Sequence, residues 1–312
     1  MKIDVPLKII FMGTPDFAVP ALEKLQASHH QVLAVVTPPD KQQGRGRRIR
    51  PSAVKQTAET LGLPILQPEN LKDPEFANKL TQFAPDLIVV VAFKILPESI
   101  FSIPRLGSFN LHASLLPRYR GAAPIHWALL NGDQETGVTT FFLKRKVDTG
   151  NIILQRSLPI LADDNLHRLY AKLGAIGADL VLETVDHIAS GSVNTSIQEN
   201  SEATPAPKVT SATQTLNFDQ SATHCHNRVR AFAPSPGAFS YRNGARLKIL
   251  NTAVSDSSGE PGQVIEISAD SFTIACGRGS LVIYAVQPES KKPMDVSAYL
   301  RGNPMVVGEQ LG

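Results

Sequence analysis

The sequence lacks the motifs of two common nucleotide sites and the signals of secretion or membrane insertion. Its first strand-like segment ends in GTPDFAVP rather than G-x-G-x-x-G, and no G-x-x-x-x-G-K-[ST] is present, so a nicotinamide cofactor and a P-loop are poorly supported. The only two cysteines, Cys225 and Cys276, exclude a disulfide framework. No apolar run approaches the roughly 18 residues of a membrane span. We expect a cytoplasmic protein with no membrane association, and a monomer.

The sequence also offers little for metal or aspartic-protease chemistry. His224, Cys225 and His226 are adjacent, but zinc needs a third or fourth ligand at suitable spacing, and only isolated residues could supply it. Asp148-Thr149-Gly150 is the one tripeptide of aspartic-protease type, whereas that chemistry needs two carboxylates that share a proton. We therefore predict no metal and no protease activity.

Positive charge is concentrated in one segment of an otherwise ordinary composition. The 312 residues are 42% hydrophobic and 19% charged with a net charge of +3, which is typical of a folded chain of about two domains. Lys41–Arg50 (KQQGRGRRIR) carries five cations and no acid. Such a run is usually a solvated surface, but glycines between arginines also suit a cationic arm that contacts phosphates.

The first 190 residues alternate between apolar, strand-like runs and amphipathic, helix-like stretches. The run at 86–92 (DLIVVVA) is continuously apolar, as expected of a strand buried on both faces of a parallel sheet. Residues 165–189 indicate a long helix. This alternation predicts a doubly wound, mostly parallel α/β domain over 1–190. Other strands are predicted at 7–13, 32–36, 64–66, 108–113, 137–143 and 151–160.

The texture of the sequence changes after residue 190. Residues 191–208 are polar and rich in Ser, Thr and Pro, which predicts a linker. Beyond it, a helix-like 222–232 precedes short β-type runs separated by Gly, Ser and Asp. Their spacing predicts a small antiparallel barrel or sandwich over 209–312.

The segment 108–125 (SFNLHASLLPRYRGAAPI) carries the strongest chemical signal. If 108–113 is a strand, Asn110 and His112 lie on one face at its carboxyl end, where open α/β sheets bind ligands. An amide that stabilises an oxyanion and an imidazole that moves a proton form a minimal set for acyl transfer. Asp148, after another strand, could orient the imidazole. An Asn and a His at a strand end are, however, often only satisfied polar groups.

These residues also resemble a known family, the folate-dependent formyltransferases. N-x-H-x-S-L-L-P at 110–117 and the distant Asp-Thr-Gly at 148–150 are similar to its signature. IIFMGTPDFA at the start, the basic segment and RYRGAAPI are similar to the branch that formylates methionyl-tRNA. The resemblance implies a Rossmann-like catalytic domain and a C-terminal barrel resembling an OB fold that binds tRNA.

The resemblance assigns roles to several residues. It implies that Asn110, His112 and Asp148 are catalytic, with His112 either a proton shuttle or an oxyanion donor. It implies 10-formyltetrahydrofolate as the formyl-donating cosubstrate and methionyl initiator tRNA as the acceptor. The stretch associated with tetrahydrofolate is Ser114, Leu115, Leu116 and Pro117. At 91–99 (VAFKILPES) the chain departs from the family pattern, because a residue is missing near Phe93 and Lys94, which are expected at the pterin pocket.

The basic segment separates the possible acceptors. We predict that Arg45, Arg47 and Arg48 contact tRNA, with Arg45 leading. A sister enzyme acting on an amino-sugar nucleotide would need few phosphate contacts, and a formyltetrahydrofolate hydrolase would use water. A non-catalytic RNA-binding protein on the same scaffold would explain the arginines but not Asn110, His112 and Asp148 together.

Overall fold

A computed structural model describes residues 5–43 and 48–312, with the backbone alone at 42, 43, 48 and 49. The strands are β1 (Lys8–Gly13), β2 (Gln31–Val36), β3 (Lys41–Gln43), β4 (Arg48–Arg50), β5 (Ile65–Leu66), β6 (Leu87–Val91), β7 (Ser108–His112), β8 (Arg120–Gly121), β9 (Glu135–Phe142), β10 (Ile152–Pro159), β11 (Pro205–Ala206), β12 (Ala238–Arg242), β13 (Ala245–Ser255), β14 (Val264–Ile267), β15 (Phe272–Ala275), β16 (Ser280–Pro288) and β17 (Met294–Asp295).

The α-helices are α1 (Val19–Gln26), α2 (Ala53–Thr60), α3 (Pro74–Gln82), α4 (Glu98–Phe101), α5 (Pro124–Asn131), α6 (Leu166–Ala189), α7 (Ser211–Gln214), α8 (Ala222–Phe232) and α9 (Val296–Gly302). Single 3-10 turns lie at Asp16–Ala18 and Asn200–Glu202. Within the described ranges, no helix combines the length and apolarity that crossing a bilayer requires.

The chain divides into two compact units. The first takes the chain up to Gly121 together with Glu135–Pro159 and Tyr170–Pro205; the second takes Ala122–Gln134, Ile160–Leu169 and Ala206–Gly312. The predicted boundaries, 1–190, 191–208 and 209–312, stay a prediction. The units differ from them because most of the predicted linker is bonded into the first unit, while α5 packs on α8 in the second, where the His126 and Phe232 ring centroids lie 5.4 Å apart.

The first unit is built on a seven-stranded sheet in the order β10-β9-β7-β6-β1-β2-β5. Its five strands from β7 to β5 are parallel to one another. Strand β9 pairs antiparallel with β7, and β10 pairs antiparallel with β9. Every residue of β6 is buried, as its uninterrupted apolar sequence requires. The predicted doubly wound, mostly parallel α/β fold is confirmed. The order of the parallel strands reverses between β1 and β6, and ligands bind at such a switch point, outside the carboxyl ends of the strands.

The second unit contains an antiparallel sheet in the order β12-β13-β16-β15-β14, with β17 paired to β16. Its helix α8 begins after Ser221, whose side chain accepts a hydrogen bond from the His224 amide at 3.2 Å. The apolar side of α8 is buried and includes Cys225, Val229 and Phe232. The antiparallel β architecture predicted for the C-terminal part is confirmed.

Candidate active site

Asn110 and His112 lie on β7, between the parallel β6 and the antiparallel β9. Asn110 is opposite Val90 on one side and Phe141 on the other. The two side chains share one face because strand residues alternate. Asn110 is half-buried, and across residues 5–43 and 48–312 its amide has no hydrogen bond to another side chain or to the backbone. Its donors therefore remain available to a ligand.

The His112 imidazole is fixed by a backbone carbonyl. The ring is buried, and its Nε2 lies 2.8 Å from the Tyr119 carbonyl oxygen. Because a carbonyl oxygen can only accept, Nε2 carries a proton and donates it to this bond. The neutral ring therefore has its lone pair on Nδ1. The Phe141 ring meets the imidazole edge-on, with centroids 6.5 Å apart.

Asp148 lies near the same segment as His112, but in a loop and not at the end of a strand beside β7. β9 runs antiparallel to β7, so that its last residue, Phe142, pairs with Phe109 near the start of β7. Asp148 lies in the connection from β9 to β10, with φ of 53°, and its Oδ2 accepts a hydrogen bond from the Gly121 amide at 2.9 Å. Nothing in the described parts of the chain bonds it directly to His112. The segment 119–121 joins the two, because Tyr119 binds the imidazole and Gly121 binds the carboxylate.

The Asp-Thr-Gly turn depends on its glycine. A Cβ at Gly150 would lie 1.5 Å from the Phe142 carbonyl oxygen, so no other residue fits without moving the end of β9. The Thr149 hydroxyl donates to the Lys146 carbonyl at 2.8 Å. The left-handed backbone of Asp148 costs about 1–3 kcal/mol, which the surrounding contacts must offset.

Residues 114–117 form a packed turn after β7. The buried Ser114 hydroxyl donates to the Arg118 carbonyl at 2.7 Å. Leu116 is buried with Phe141 and Ile152, and its amide donates to the Thr139 hydroxyl at 3.1 Å. Leu115 and Pro117 are half-buried. Ser114 and Leu116 therefore support the turn, and the assignment of Ser114, Leu115, Leu116 and Pro117 to folate stays a prediction.

A cleft of about 320 Å³ lies beside the segment that departs from the family pattern. It is lined by Glu69, Asn70, Leu71, Lys72, Lys94, Ile95, Leu96 and Pro97. Ile95 is 72% exposed, whereas Leu96 and the half-buried Phe93 pack in the core. At this edge of the first unit an apolar side chain and a lysine of the shortened segment, Ile95 and Lys94, are exposed, and Lys72 is exposed beside them.

The basic segment is described only at its base. Arg45 and Arg47 lie outside the described residues, and for Arg48 the backbone alone is described, in β4, where it pairs with Gln43 of β3. The Asp40 carboxylate, just before β3, accepts hydrogen bonds from Lys55 at 2.7 Å and from Gln67 at 2.9 Å. These bonds, the one from Lys55 first, lower the pKa of Asp40. The start of the hairpin is therefore anchored to the body of the first unit.

The histidine clusters are engaged in hydrogen bonds. His226 bonds the Thr252 hydroxyl through Nδ1 at 2.9 Å, and the His224 Nε2 accepts from Arg228 at 3.1 Å. His29, His30 and Asp186 also converge. However, Nδ1 of His30 accepts from the Leu7 amide at 3.1 Å, so its Nε2 is the donor to Asp186 at 2.9 Å. Neither nitrogen of His30 has a lone pair left for a cation.

The comparisons with known proteins decide the family. The model described as "Formyl transferase" matches residues 7–185, and "Formyl transferase, C-terminal domain" matches residues 208–304. This chain is a formyl transferase.

Similar proteins cover this formyl transferase from end to end. The methionyl-tRNA formyltransferase of Moorella thermoacetica is 45% identical over 98% of this chain and 99% of its own, and that of Geobacter sulfurreducens is 40% identical over 98% and 97%. The crystal structure of WlaRD, a sugar 3N-formyl transferase with dTDP and 5-N-formyl-THF, superimposes with a TM-score of 0.67 at 22% identity, over 92% of this chain and 100% of its own. At that identity the likeness concerns the fold.

Sequence reasoning missed the groups of the formyl transferase that connect His112 to Asp148. Tyr119 acts through its carbonyl, which every residue has, so no residue-type signal marks it. Gly121 has φ of 130°, a conformation that only glycine adopts readily, so its place in RYRGAAPI was a usable signal.

Proposed function

We propose that this formyl transferase transfers the formyl group of 10-formyltetrahydrofolate to the α-amino group of methionyl initiator tRNA. The observation that carries the proposal is the 45% identity, over nearly the whole of both chains, to a relative named for that reaction. The free amide of Asn110, together with His112 and Asp148, which are bonded to the two ends of the segment 119–121, supplies groups suited to acyl transfer. Because charged tRNA is used for protein synthesis in the cytoplasm, we propose that the reaction takes place in that compartment.

The same catalytic groups could serve other acceptors, but the relatives favour methionyl-tRNA. The sugar N-formyltransferase with a similar fold is 22% identical, about half the identity of the tRNA enzymes. A hydrolase, whose acceptor is water, would have no polyanionic acceptor for the cations of Lys41–Arg50 to contact. The monomeric state and the contacts of Arg45, Arg47 and Arg48 with tRNA are part of the proposal.

Asn110 would stabilise the charge that develops during transfer. The attacking amine needs little activation, because a free α-amino group has a pKa of about 7.7–8.0 and esterification lowers it further. When it attacks the formyl carbon, the formyl oxygen becomes negative. The unbonded amide of Asn110 can donate to that oxygen, an interaction worth about 2.7–4 kcal/mol where comparable donors were removed.

His112 would move the proton of the amine. Its Nε2 proton is held by the Tyr119 carbonyl, so Nδ1 is the nitrogen that can accept a proton from the attacking amine and pass it to the leaving folate nitrogen. A neutral ring with this tautomer has no second proton to give to the oxyanion. The geometry therefore supports the proton shuttle over the oxyanion donor.

Asp148 would stabilise the charged imidazolium through the segment 119–121. Its carboxylate accepts from the Gly121 amide, two residues beyond the carbonyl that holds His112. The carboxylate thereby helps to hold the Tyr119 carbonyl, whose oxygen accepts from the ring while the ring carries a positive charge during the reaction. The folate would be held at the carboxyl ends of the parallel strands, with the turn 114–117 on one side and the 94–97 edge with Lys94 on another.

One assay tests the proposal against its alternatives. The purified chain receives 10-formyltetrahydrofolate with methionyl initiator tRNA, with a dTDP-amino sugar, or with no acceptor, and release of tetrahydrofolate is followed. We expect rapid release only with the charged tRNA, and none with the uncharged tRNA, which lacks the amine. Equal release without an acceptor would instead identify a hydrolase, and preference for the sugar would identify the sister enzyme.

A further inference from the structure

The segment 198–204, predicted as part of a linker, is bonded to both halves of the candidate site. The Gln198 side chain is 4% exposed, whereas its neighbour Ile197 is 84% exposed. The amide nitrogen of Gln198 donates to the Asp148 carbonyl at 3.0 Å and to the Gly150 carbonyl at 2.8 Å. Both of its hydrogens are thus used to hold the turn that carries the Asp148 carboxylate.

The other end of the Gln198 amide is held equally well. Its Oε1 accepts from Nε of Arg120 at 3.0 Å and from Nη2 at 2.8 Å, and Nη1 of Arg120 donates to Asn200 at 2.9 Å. A buried amide with two donors and two acceptor sites occupied has one orientation. Gln198 is therefore a fixed brace between Arg120, which lies inside the segment 119–121, and the Asp148 turn.

Thr204 braces the same segment from its other side. Its hydroxyl accepts from the Tyr119 amide at 2.8 Å, and its carbonyl accepts from the Arg120 amide at 2.9 Å. Tyr119 is the residue whose carbonyl holds His112, and it has a left-handed backbone with φ of 61°. A non-glycine residue keeps such a conformation only where its surroundings impose it.

We propose that Gln198 and Thr204 are positioning residues of the formyl transfer: Gln198 sets Asp148, and Thr204 sets the carbonyl that orients His112. This inference rests on the proposed function and adds to it that the chain between the two family domains completes the first unit's site. Neither residue touches the reacting atoms. They act by fixing the positions of the Asp148 carboxylate and the His112 imidazole. A misplacement of about 1 Å at such groups can lower the rate by about 100-fold.

The sharpest variant is Gln198→Glu, with Asn200→Ala as its matched control. Glutamate still accepts from Arg120 but cannot donate to the two carbonyls of the turn. Asn200→Ala removes a contact of the same arginine and leaves the turn untouched. We expect Gln198→Glu to lower kcat by about 10- to 100-fold with little change in KM for either substrate, and Asn200→Ala to keep wild-type kcat.

A double-mutant cycle with Asp148→Asn separates positioning from general structural support. If Gln198 acts through Asp148, its substitution should cost far less in an Asp148→Asn background than in the wild type. Losses that simply multiply would overturn the inference. Should Gln198→Glu not fold, the pair Thr204→Val and Thr204→Ser replaces it: we expect valine to lower kcat and serine, which keeps the hydroxyl, to restore it. Equal kcat in that pair would count against the brace.

Amide hydrogen exchange keeps the inference independent of the proposed acceptor. The Gly121 amide donates to Asp148, so its exchange should be faster in Gln198→Glu and unchanged in Asn200→Ala. A wild-type chain that is inactive on methionyl-tRNA would refute the proposed function alone, and the exchange at Gly121 would still decide the brace. Unchanged exchange in Gln198→Glu, in an active enzyme, would refute the brace alone.

Discussion

Some polar side chains of the first unit are held by backbone groups, whereas two imidazoles of the second unit are shaped mainly by burial. In the first, His112, Asp148 and Gln198 are bonded to backbone carbonyls or amides in the connections between strands of the seven-stranded sheet. In the second, the imidazoles of His126 on α5 and His226 on α8 are half-buried, and burial lowers the pKa of both.

This difference shows how each unit uses a buried polar group. A ring bonded to a fixed carbonyl has a defined tautomer and can exchange a proton at its other nitrogen. A ring that burial keeps neutral contributes to packing, and its protonation opposes folding. We therefore expect substitutions of His112, Asp148 and Gln198 to change the rate of reaction, and substitutions of the half-buried His126 and His226 to change how the free energy of unfolding depends on pH.

The largest effect that would test this contrast is expected at β7. Asn110→Ala should lower kcat by about 100- to 1,000-fold because the oxyanion loses its donor, and His112→Ala by about 100- to 10,000-fold because proton transfer is lost. Initial rates with saturating methionyl-tRNA and thermal melts measure both effects. The Tm of Asn110→Ala should stay near wild type, since the amide has no partner to lose.

A matched substitution in the other unit controls that experiment. Asn251 is an exposed strand asparagine in β13, and Asn251→Ala should leave kcat unchanged. If Asn110→Ala were as active as Asn251→Ala, the amide would have no catalytic role, and the contrast between the units would lose its main support.

Main elements of the first unit were predictable because their sequences carry strong apolar signals, continuous in one case and periodic in the other. The apolar run at 86–92 became β6 (Leu87–Val91), and the periodic stretch 165–189 became α6 (Leu166–Ala189). Helix α5 (Pro124–Asn131) was not predicted. Its sequence IHWALL is mostly apolar and shows no amphipathic pattern that would indicate a helix. Its boundaries were nevertheless marked, by Pro124 at the first position and by Gly132, with φ of 72°, just after the end.

The candidate site was predictable only as far as side chains mark it. The period of a strand places Asn110 and His112 on one face. Asp148 was a candidate from its place after another strand, and the resemblance supported it, but the antiparallel course of β9 excludes a simple meeting of strand ends. The connecting contacts use the Tyr119 carbonyl and the Gly121 amide. Since backbone groups are common to nearly all residues, no sequence pattern could reveal these contacts.

Substitutions in the basic segment are expected to have a smaller effect than those on β7, and to weaken the binding of tRNA rather than slow the chemical step. Replacing Arg45, Arg47 and Arg48 with alanine should raise KM for methionyl-tRNA, leave the KM for folate unchanged, and make tRNA binding less dependent on salt. The slope of log K against log salt should fall by about 0.9 for each lost contact with a duplex phosphate.

A single-charge control separates a contact from net charge. Lys79 is an exposed cation at the end of α3, and Lys79→Ala removes one charge, as does the single variant Arg45→Ala, for which we expect a fall in the salt slope of about 0.9. We expect Lys79→Ala to leave the salt slope at its wild-type value. A slope that the triple variant also leaves unchanged would remove the segment from tRNA binding.

The smallest effect concerns stability in the second unit and appears only as pH is changed. Burial lowers the pKa of His126, whose ring packs on Phe232, so the unfolded chain binds a proton more readily than the folded one. The stability contributed by the neutral ring is therefore complete above the ordinary histidine pKa of about 6.5 and declines as pH falls below it.

Urea unfolding at pH 7 and at pH 5 measures this effect as a decrease in the free energy of unfolding. His126→Leu should make that decrease smaller, whereas His167→Gln, at an exposed position of the same unit, should not. An identical pH dependence in both variants would mean that His126 does not couple protonation to folding, and the proposed difference between the units would then rest on catalysis alone.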